Sequence, residues 1–336
     1  MRILIAIGGN ALIREGQRGT WGEQQANAAE AAKALARLRR AGHEVIVTHG
    51  NGPQVGALAL QQAAGEPDTP ALPFDALVAM TQGQMGYLLE QALAAVDPEL
   101  PTATLLSRAR VAPADPALAA PPTKPIGPFY DEDQARRLAA EHGWEVGLDA
   151  GRGWRRLVAS PRPEQIVEHE QIALLARAGV LVIAGGGGGI PVSGPDGVEA
   201  VIDKDRCAAE LAIEVGADVL MLTTSVARVS FDYGTRWQRD MARLTVSDAL
   251  RHLREGDFPA GSMGPKIESA VRFAAGFGRA VITDPVHLAH ALDGGEGTWI
   301  VPDDEGPSTV APAVAADMLS MSAGANASRS RGGVTP

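Results

Sequence analysis

The chain has 336 residues, is 45 % hydrophobic and 21 % charged, and carries a formal net charge of −10, the balance of a globular protein with one large α/β domain or two smaller ones. The acidic balance excludes a sequence-independent nucleic-acid binder, which needs a basic face, and no apolar run reaches the ~20 residues of a membrane-spanning helix. A single cysteine, Cys207, excludes an internal disulfide; with an N-terminus that reads as a strand from Arg2 rather than a secretory leader, it sets the expectation of a cytoplasmic protein.

In chain order the hydrophobic pattern predicts a strand over 2–7, an amphipathic helix over 23–41 stopped by Gly42, and a strand over 43–48. Pro53 then starts a helix at its first turn. Residues 74–95 read as a helix interrupted by Gly83 and Gly86, which suit close helix packing, including packing across a subunit boundary. Residues 121–163, bracketed by prolines and holding Trp144 and Trp154, break the rhythm and read as a small inserted subdomain. The rhythm returns with a helix over 164–178, strand 180–184, helix 204–215, strand 218–224, helices near 245–254 and over 266–275, and strand 279–283. After Pro302 the composition turns to Asp, Ser, Ala, Gly and Pro, so 303–336 is expected to be a mobile extension of a 1–302 domain. Alternating strands and helices with short links imply a mainly parallel sheet covered on both faces.

Three strands run directly into glycines: ILIAIGGNAL at 3–12, VIVTHGNGPQVG at 45–56 and VLVIAGGGGGIPV at 180–192. Glycines at the carboxyl ends of parallel strands lie where open α/β sheets bind ligands. Bare backbone N–H groups there, aided by a helix N-terminus, form an anion site. One such loop is more simply a tight turn; three at one sheet edge favour a phosphate-rich ligand. None matches the dinucleotide fingerprint or the P-loop pattern. The chain holds only four lysines, Lys33, Lys124, Lys204 and Lys266, against 26 arginines. The last three sit in PTKPIGPF, VIDKDR and GSMGPKIES. Lysine is a compact point charge where arginine is a planar fork, so these contexts point to sites that need an ammonium. Phosphoryl transfer runs on positioning and charge neutralisation, which amides and ammoniums supply. In the DKD triplet at 203–205, Asp203 is a good N-cap, and an acid there can hold a lysine or reach Mg²⁺ through water.

The motifs GGNAL, THGNGPQVG, MTQGQMGY, PTKPIGPF, DAGRGWRRLV, GGGGGIPV, GVEAVIDKD and GSMGPKIE occur in the order found in the carbamate kinases, and over residues 1–302 the chain resembles that branch of the amino-acid kinase family. The resemblance implies a three-layer α/β/α sandwich with an open, mostly parallel sheet of about eight strands, a protruding subdomain and a homodimer. It implies reversible phosphoryl transfer between carbamoyl phosphate and ADP, giving carbamate and ATP, with Mg²⁺. Related kinases of the family carry a lysine just before the first glycine pair, where this chain has Ala6-Ile7. By resemblance, Gly8, Gly9, Asn10, Gly50, Asn51, Gly52, Gly186 and Gly187 hold phosphate and substrate. Lys204 and Lys266 neutralise the transferring group, Asp205 orients them, and Lys124 reaches in from the subdomain. Thr224, Ser225, Tyr233, Met263, Gly264, Pro265 and Lys266 contact the nucleotide. Asp149, Arg152 and Trp154 take structural roles in the subdomain.

One stretch departs from the family pattern. In LTTSVARVS, residues 222–230, a family aspartate is replaced by Ala227 and the next position is Arg228. Drift that keeps ADP/ATP binding and an altered nucleotide site are both open. The rivals to a carbamate kinase are a diverged kinase of another small carboxylate and a non-catalytic ligand-binding regulator; retention of three motif lysines favours catalysis. His49 either touches substrate or packs the strand end, and His287 with His290 reads as a solvated helix face rather than a metal pair. No metal ligand is legible.

Overall fold

The computed structural model describes residues 1–305 except 15, 67, 150–152 and 259–262, with the side chains of 10 and 11 also outside the description. Its main sheet has eight strands. Their spatial order is Arg243–Thr245, Thr298–Val301, Arg279–Thr283, Val219–Thr223, Arg2–Ile7, Glu44–His49, Leu181–Ile183 and Thr102–Thr104. All neighbours run parallel except Arg279–Thr283 with Thr298–Val301.

The central strands read as unbroken apolar runs because both of their faces are buried. Side chains alternate across a strand, and the core divides accordingly. Leu4, Ala6, Ile46, Val182, Leu220 and Leu222 face one layer, shared with helices Lys204–Glu214 and Met263–Ala274. Ile3, Ile5, Ile7, Val45, Val47, Ile183 and Met221 face the other, shared with helices Trp21–Arg40 and Phe74–Val96. The arrangement is the expected three-layer sandwich.

Several elements differ from expectation. Residues 164–166, predicted as the start of a helix, belong instead to strand Pro163–Ile166, paired antiparallel with Arg108–Val111, and the helix begins only at His169. The backbone N–H of Ile166 donates to Glu214 at 2.9 Å, a long-range partner that local periodicity does not reveal. Gly86 suits contact with a strand rather than a helix: an added Cβ would fall 2.2 Å from Thr104, whereas Gly83 has nothing within 4 Å. Residues 306–336, most of the expected extension, lie outside the described residues. Residues 303–305 are fastened to the body, with Glu305 taking Arg243 and Arg279 at 2.8 Å each.

Within 121–163, Lys124–Tyr130, Trp154–Val158 and Glu145–Leu148 form a separate antiparallel sheet beside helix Glu132–His142. Strand Lys124–Tyr130 is seated on helix Gly52–Gly65, where a Cβ at Gly56 would fall 1.9 Å from the Gly127 Cα. Only two glycines facing each other permit that approach. Arg156 adds a second fastening, its guanidinium 4.6 Å from the ring centre of Trp144 and 5.3 Å from that of Phe74.

Candidate active site

A cleft of about 2820 Å³ opens at the carboxyl ends of the central strands and is roofed by the strand that begins at Lys124. Its floor is made where glycine loops meet. The Gly8 N–H donates to Thr223 Oγ1 at 2.8 Å, which fixes the first loop against the neighbouring strand end. A Cβ at Gly50 would lie 2.9 Å from the Gly9 nitrogen and 3.2 Å from the Lys204 Cδ. The first two loops therefore touch backbone to backbone, and the stem of Lys204 crosses beside them. Asn51 is buried and donates to Thr81 Oγ1 at 2.9 Å. Gly52 opens the helix that follows. Asn10 lies in the short turn Gly9–Leu12, its side chain outside the description.

The third loop serves a different purpose from the first two. Gly187 lines the cleft at φ +67°, but a Cβ there would strike Asn51 Nδ2 at 2.2 Å. Gly186 does not line the cleft. A Cβ on it would fall 2.3 Å from His49 Nε2, and its carbonyl accepts from Gln82 at 2.9 Å. Gly187 thus makes room for Asn51, which also lines the cleft, and Gly186 makes room for His49 behind the floor. His49 itself is buried, away from the cleft wall, with Nδ1 3.1 Å from the Gly50 carbonyl. Burial pushes its pKa down to about 4, so it packs as a neutral imidazole at the strand end.

Above the floor, one carboxylate holds two ammoniums. Asp205 is 4 % exposed; its Oδ1 lies 2.5 Å from Lys204 Nζ and its Oδ2 lies 2.8 Å from Lys266 Nζ. Burial alone would raise the Asp205 carboxyl, but the two ammoniums outweigh it and hold it below the usual carboxylate range. Burial would likewise depress Lys204, and Asp205 more than offsets this, raising it above the ordinary lysine value. Lys266 differs: burial first, and then the charge of Lys204, push it down to about 8 against the pull of Asp205. The cluster thus carries more cation than carboxylate, at the edge of the cleft. Lys124, from the roof, forms an ion pair with Asp203.

At the other end of the cleft the wall is formed by Thr224, Ser225, Tyr233, Met263 and Pro265, whereas Gly264 is buried inside its helix and does not reach the cavity. Arg228 also stays out of the cavity and pairs through Nε with Glu296 at 2.8 Å. His287 Nδ1 lies 2.9 Å from Asp284, and His290 Nε2 lies 3.2 Å from Arg37 on the rim, so neither joins a metal-type pair.

Sequence inspection missed Arg155. It is 8 % exposed, lines the cleft, donates from Nε to the Gly127 carbonyl at 3.0 Å and pairs with Asp149 at 2.9 Å. The available signal was the adjacent pair Arg155-Arg156 on a strand, since alternation must send one of two neighbours inward. Asp149, expected to be structural, also lines the cleft. Trp154 stacks under Arg136 at 5.9 Å, and Arg152 lies outside the described residues.

Comparison with known proteins gives a consistent picture. The sequence profile of the amino acid kinase family matches residues 1–284. The carbamate kinase of Pyrococcus horikoshii is 45 % identical over 314 residues, covering 90 % of this chain and 99 % of that one. The carbamate kinase of Thermococcus kodakarensis is 46 % identical over 312 residues, covering 89 % and 99 %. Among solved structures, the carbamate kinase from Giardia lamblia bound to AMP-PNP is 38 % identical with a TM-score of 0.81, over 90 % of this chain and 98 % of that one. The same Giardia enzyme bound to citric acid superposes with a TM-score of 0.86 over the same shares.

Proposed function

From the premise that the chain belongs to the amino acid kinase family, among its carbamate kinases, we propose how this phosphotransferase works: ADP takes the phosphoryl group of carbamoyl phosphate, giving ATP and carbamate, reversibly. The bond between phosphorus and the carbamate oxygen breaks as a bond to the terminal ADP oxygen forms. Carbamate leaves as an anion and returns as a ready nucleophile, so neither direction needs a general base at that oxygen. The obstacle is repulsion between anions, and catalysis rests on charge and position.

One observation carries this proposal: two lysines share a single buried carboxylate at the foot of the glycine loops. Lys204 and Lys266 neutralise the oxygens of the transferring group, and Asp205 fixes both ammoniums before substrate arrives. The amides of Gly8, Gly9, Asn10, Gly50, Asn51 and Gly52 cradle the phosphoryl group and carbamate. Gly187 is part of that floor beside Asn51, and Gly186 supports it from behind. Lys124 meets the acyl phosphate from the roof. ADP lies toward Thr224, Ser225, Tyr233, Met263 and Pro265 at the open end of the cleft; that such a chain takes a nucleotide is supported by the Giardia relative solved with AMP-PNP.

The carboxylates nearest the lysines are a poor fit for a dedicated Mg²⁺ site. Asp205 spends one oxygen on each lysine, and Asp203 spends one on Lys124 and one on backbone N–H groups. Among the described residues, one metal-type grouping is His252, Glu255 and Asp257, whose imidazole suits transition metals better than Mg²⁺. Mg²⁺ is therefore assigned to the nucleotide phosphates, where it commonly binds with retained waters.

We further propose a homodimer through helix Phe74–Val96, on which Met80, Gly83 and Tyr87 share one exposed face; sedimentation at monomer mass would contradict it. Among the described residues no helix is long and apolar enough to cross a membrane; a cytoplasmic location remains part of the proposal. The reaction is tested by coupled detection of ATP from ADP with carbamoyl phosphate, with acetyl phosphate as the competing donor. Preference for carbamoyl phosphate is expected. Equal or better use of acetyl phosphate would indicate a diverged kinase of another carboxylate, and no turnover with either would indicate a regulator.

A further inference from the structure

We propose that Asp203 is a positioning residue that aims Lys124 at the acyl phosphate and locks the roof of the cleft to the helix bearing the catalytic cluster; this rests on the role of Lys124 given above. The two oxygens of Asp203 do separate things. Oδ1 caps helix Lys204–Glu214, accepting from the backbone nitrogens of Asp205 at 2.9 Å and Arg206 at 3.4 Å. Oδ2 receives the Lys124 ammonium from a strand 79 residues earlier in the chain. Because the cap fixes the carboxylate plane, the helix start also fixes where Lys124 is drawn.

The DKD triplet then acts as one device. In a single helical turn Asp205 sets Lys204 and Lys266, and Asp203 sets the third lysine, which comes from a different sheet. The Asp203–Lys124 pair is substantially withdrawn from water, with side chains 13 % and 29 % exposed, so it is not a screened surface pair of negligible effect. An ammonium has three N–H donors. One directed to Asp203 leaves two for the cleft that Lys124 lines, so substrate can be met without abandoning Asp203 as a buried, unpaired charge. Without this anchor, Lys124 must order a long flexible stem at each encounter. An ion pair also keeps the Asp203 charge from repelling an anionic substrate.

A mere helix cap would behave differently, and substitution separates the two roles. Asparagine and serine both cap helices well but carry no charge. Asp203→Asn and Asp203→Ser keep an uncharged cap but leave Lys124 without its carboxylate, so they should fold, melt somewhat below the parent and bind ADP within about twofold of it. Their kcat/KM for carbamoyl phosphate should fall about 10- to 100-fold, the usual loss for a hydrogen bond to a charged group. The decisive readout is the double variant with Lys124→Ala, which should lose no more than Lys124→Ala alone, because Asp203 acts only through that lysine. Parental kcat/KM in Asp203→Asn, faster turnover in it, or losses that multiply in the double variant would each overturn the inference. Losses that multiply leave the role of Lys124 standing; parental turnover in Lys124→Ala would overturn that role and this inference together.

Discussion

At the proposed phosphate end of the cleft Lys266 and Asp205 are buried and Lys204 is half-buried, against loops that touch backbone to backbone. At the proposed nucleotide end Ser225 is exposed, and Tyr233, in the turn between strands Val229–Phe231 and Arg239–Met241, is 65 % exposed. The difference follows from what each end must do. Charges that stabilise a transferring phosphoryl group work best when fixed beforehand in a low-dielectric space. A nucleotide must enter and leave, and an open wall allows that. If this division holds, substitutions at the first end should abolish turnover and those at the second should change it little.

The largest effect is expected from Lys204→Ala or Lys266→Ala. Each should lower kcat on the order of 10²–10³-fold, the range for removing one preorganised charge or donor. ADP binding, followed by titration calorimetry, should persist. Loss of ADP binding in parallel would mean that the two ends are not separable.

A pH profile sharpens the same contrast. In the proposed mechanism Lys266 works as an ammonium, and its pKa is pushed down to about 8 by burial and by Lys204. Raising the pH through that value removes the charge, so kcat/KM for carbamoyl phosphate should drop about tenfold per pH unit on the alkaline side, since this parameter reports the free enzyme. ADP affinity should not show the same limb. A flat profile to pH 10 would contradict the assignment.

Gly56→Ala tests the seat of the roof. Its Cβ would fall 1.9 Å from the Gly127 Cα, so the strand carrying Lys124 must shift. A stability loss of about 1–3 kcal/mol, as for overpacking, should accompany a raised KM for carbamoyl phosphate, measured by thermal melting and steady-state kinetics. Parental KM would show that the contact does not transmit to the site. The smallest effect is expected at the departure from the family pattern. Arg228 faces Glu296 rather than the cleft, and a pair this exposed contributes about 0–1 kcal/mol. Arg228→Ala should therefore leave the Kd for ADP within about twofold; a tenfold loss would place this arginine in the nucleotide site.

The same contrast separates what could be read from the chain from what could not. Buried parallel strands declare themselves because both faces are apolar, and the lysines stood out because arginine is used nearly everywhere else. Gly50 invited a ligand-based explanation, and part of the answer is the Gly9 backbone. Gly186 was assigned to phosphate, yet its missing side chain makes way for His49, a partner that only the folded sheet brings alongside. Residues 164–166 read as helical because the pairing of their strand with Arg108–Val111 is long-range. Arg155 went unread because a period of two says that one of two adjacent arginines turns inward, not which one. Arg228 could be placed only once Glu296 was beside it.

The central claim is that the phosphate end requires point charges held by Asp205, not positive charge in general. Lys266→Arg tests it most directly, because charge is kept while shape changes: the planar fork cannot take the position of a single ammonium shared with Lys204. The measurement is the rate of ATP formation from saturating ADP and carbamoyl phosphate. The variant should fold, bind ADP and turn over on the order of 10²-fold or more slowly than the parent. Turnover close to that of the parent would contradict the claim.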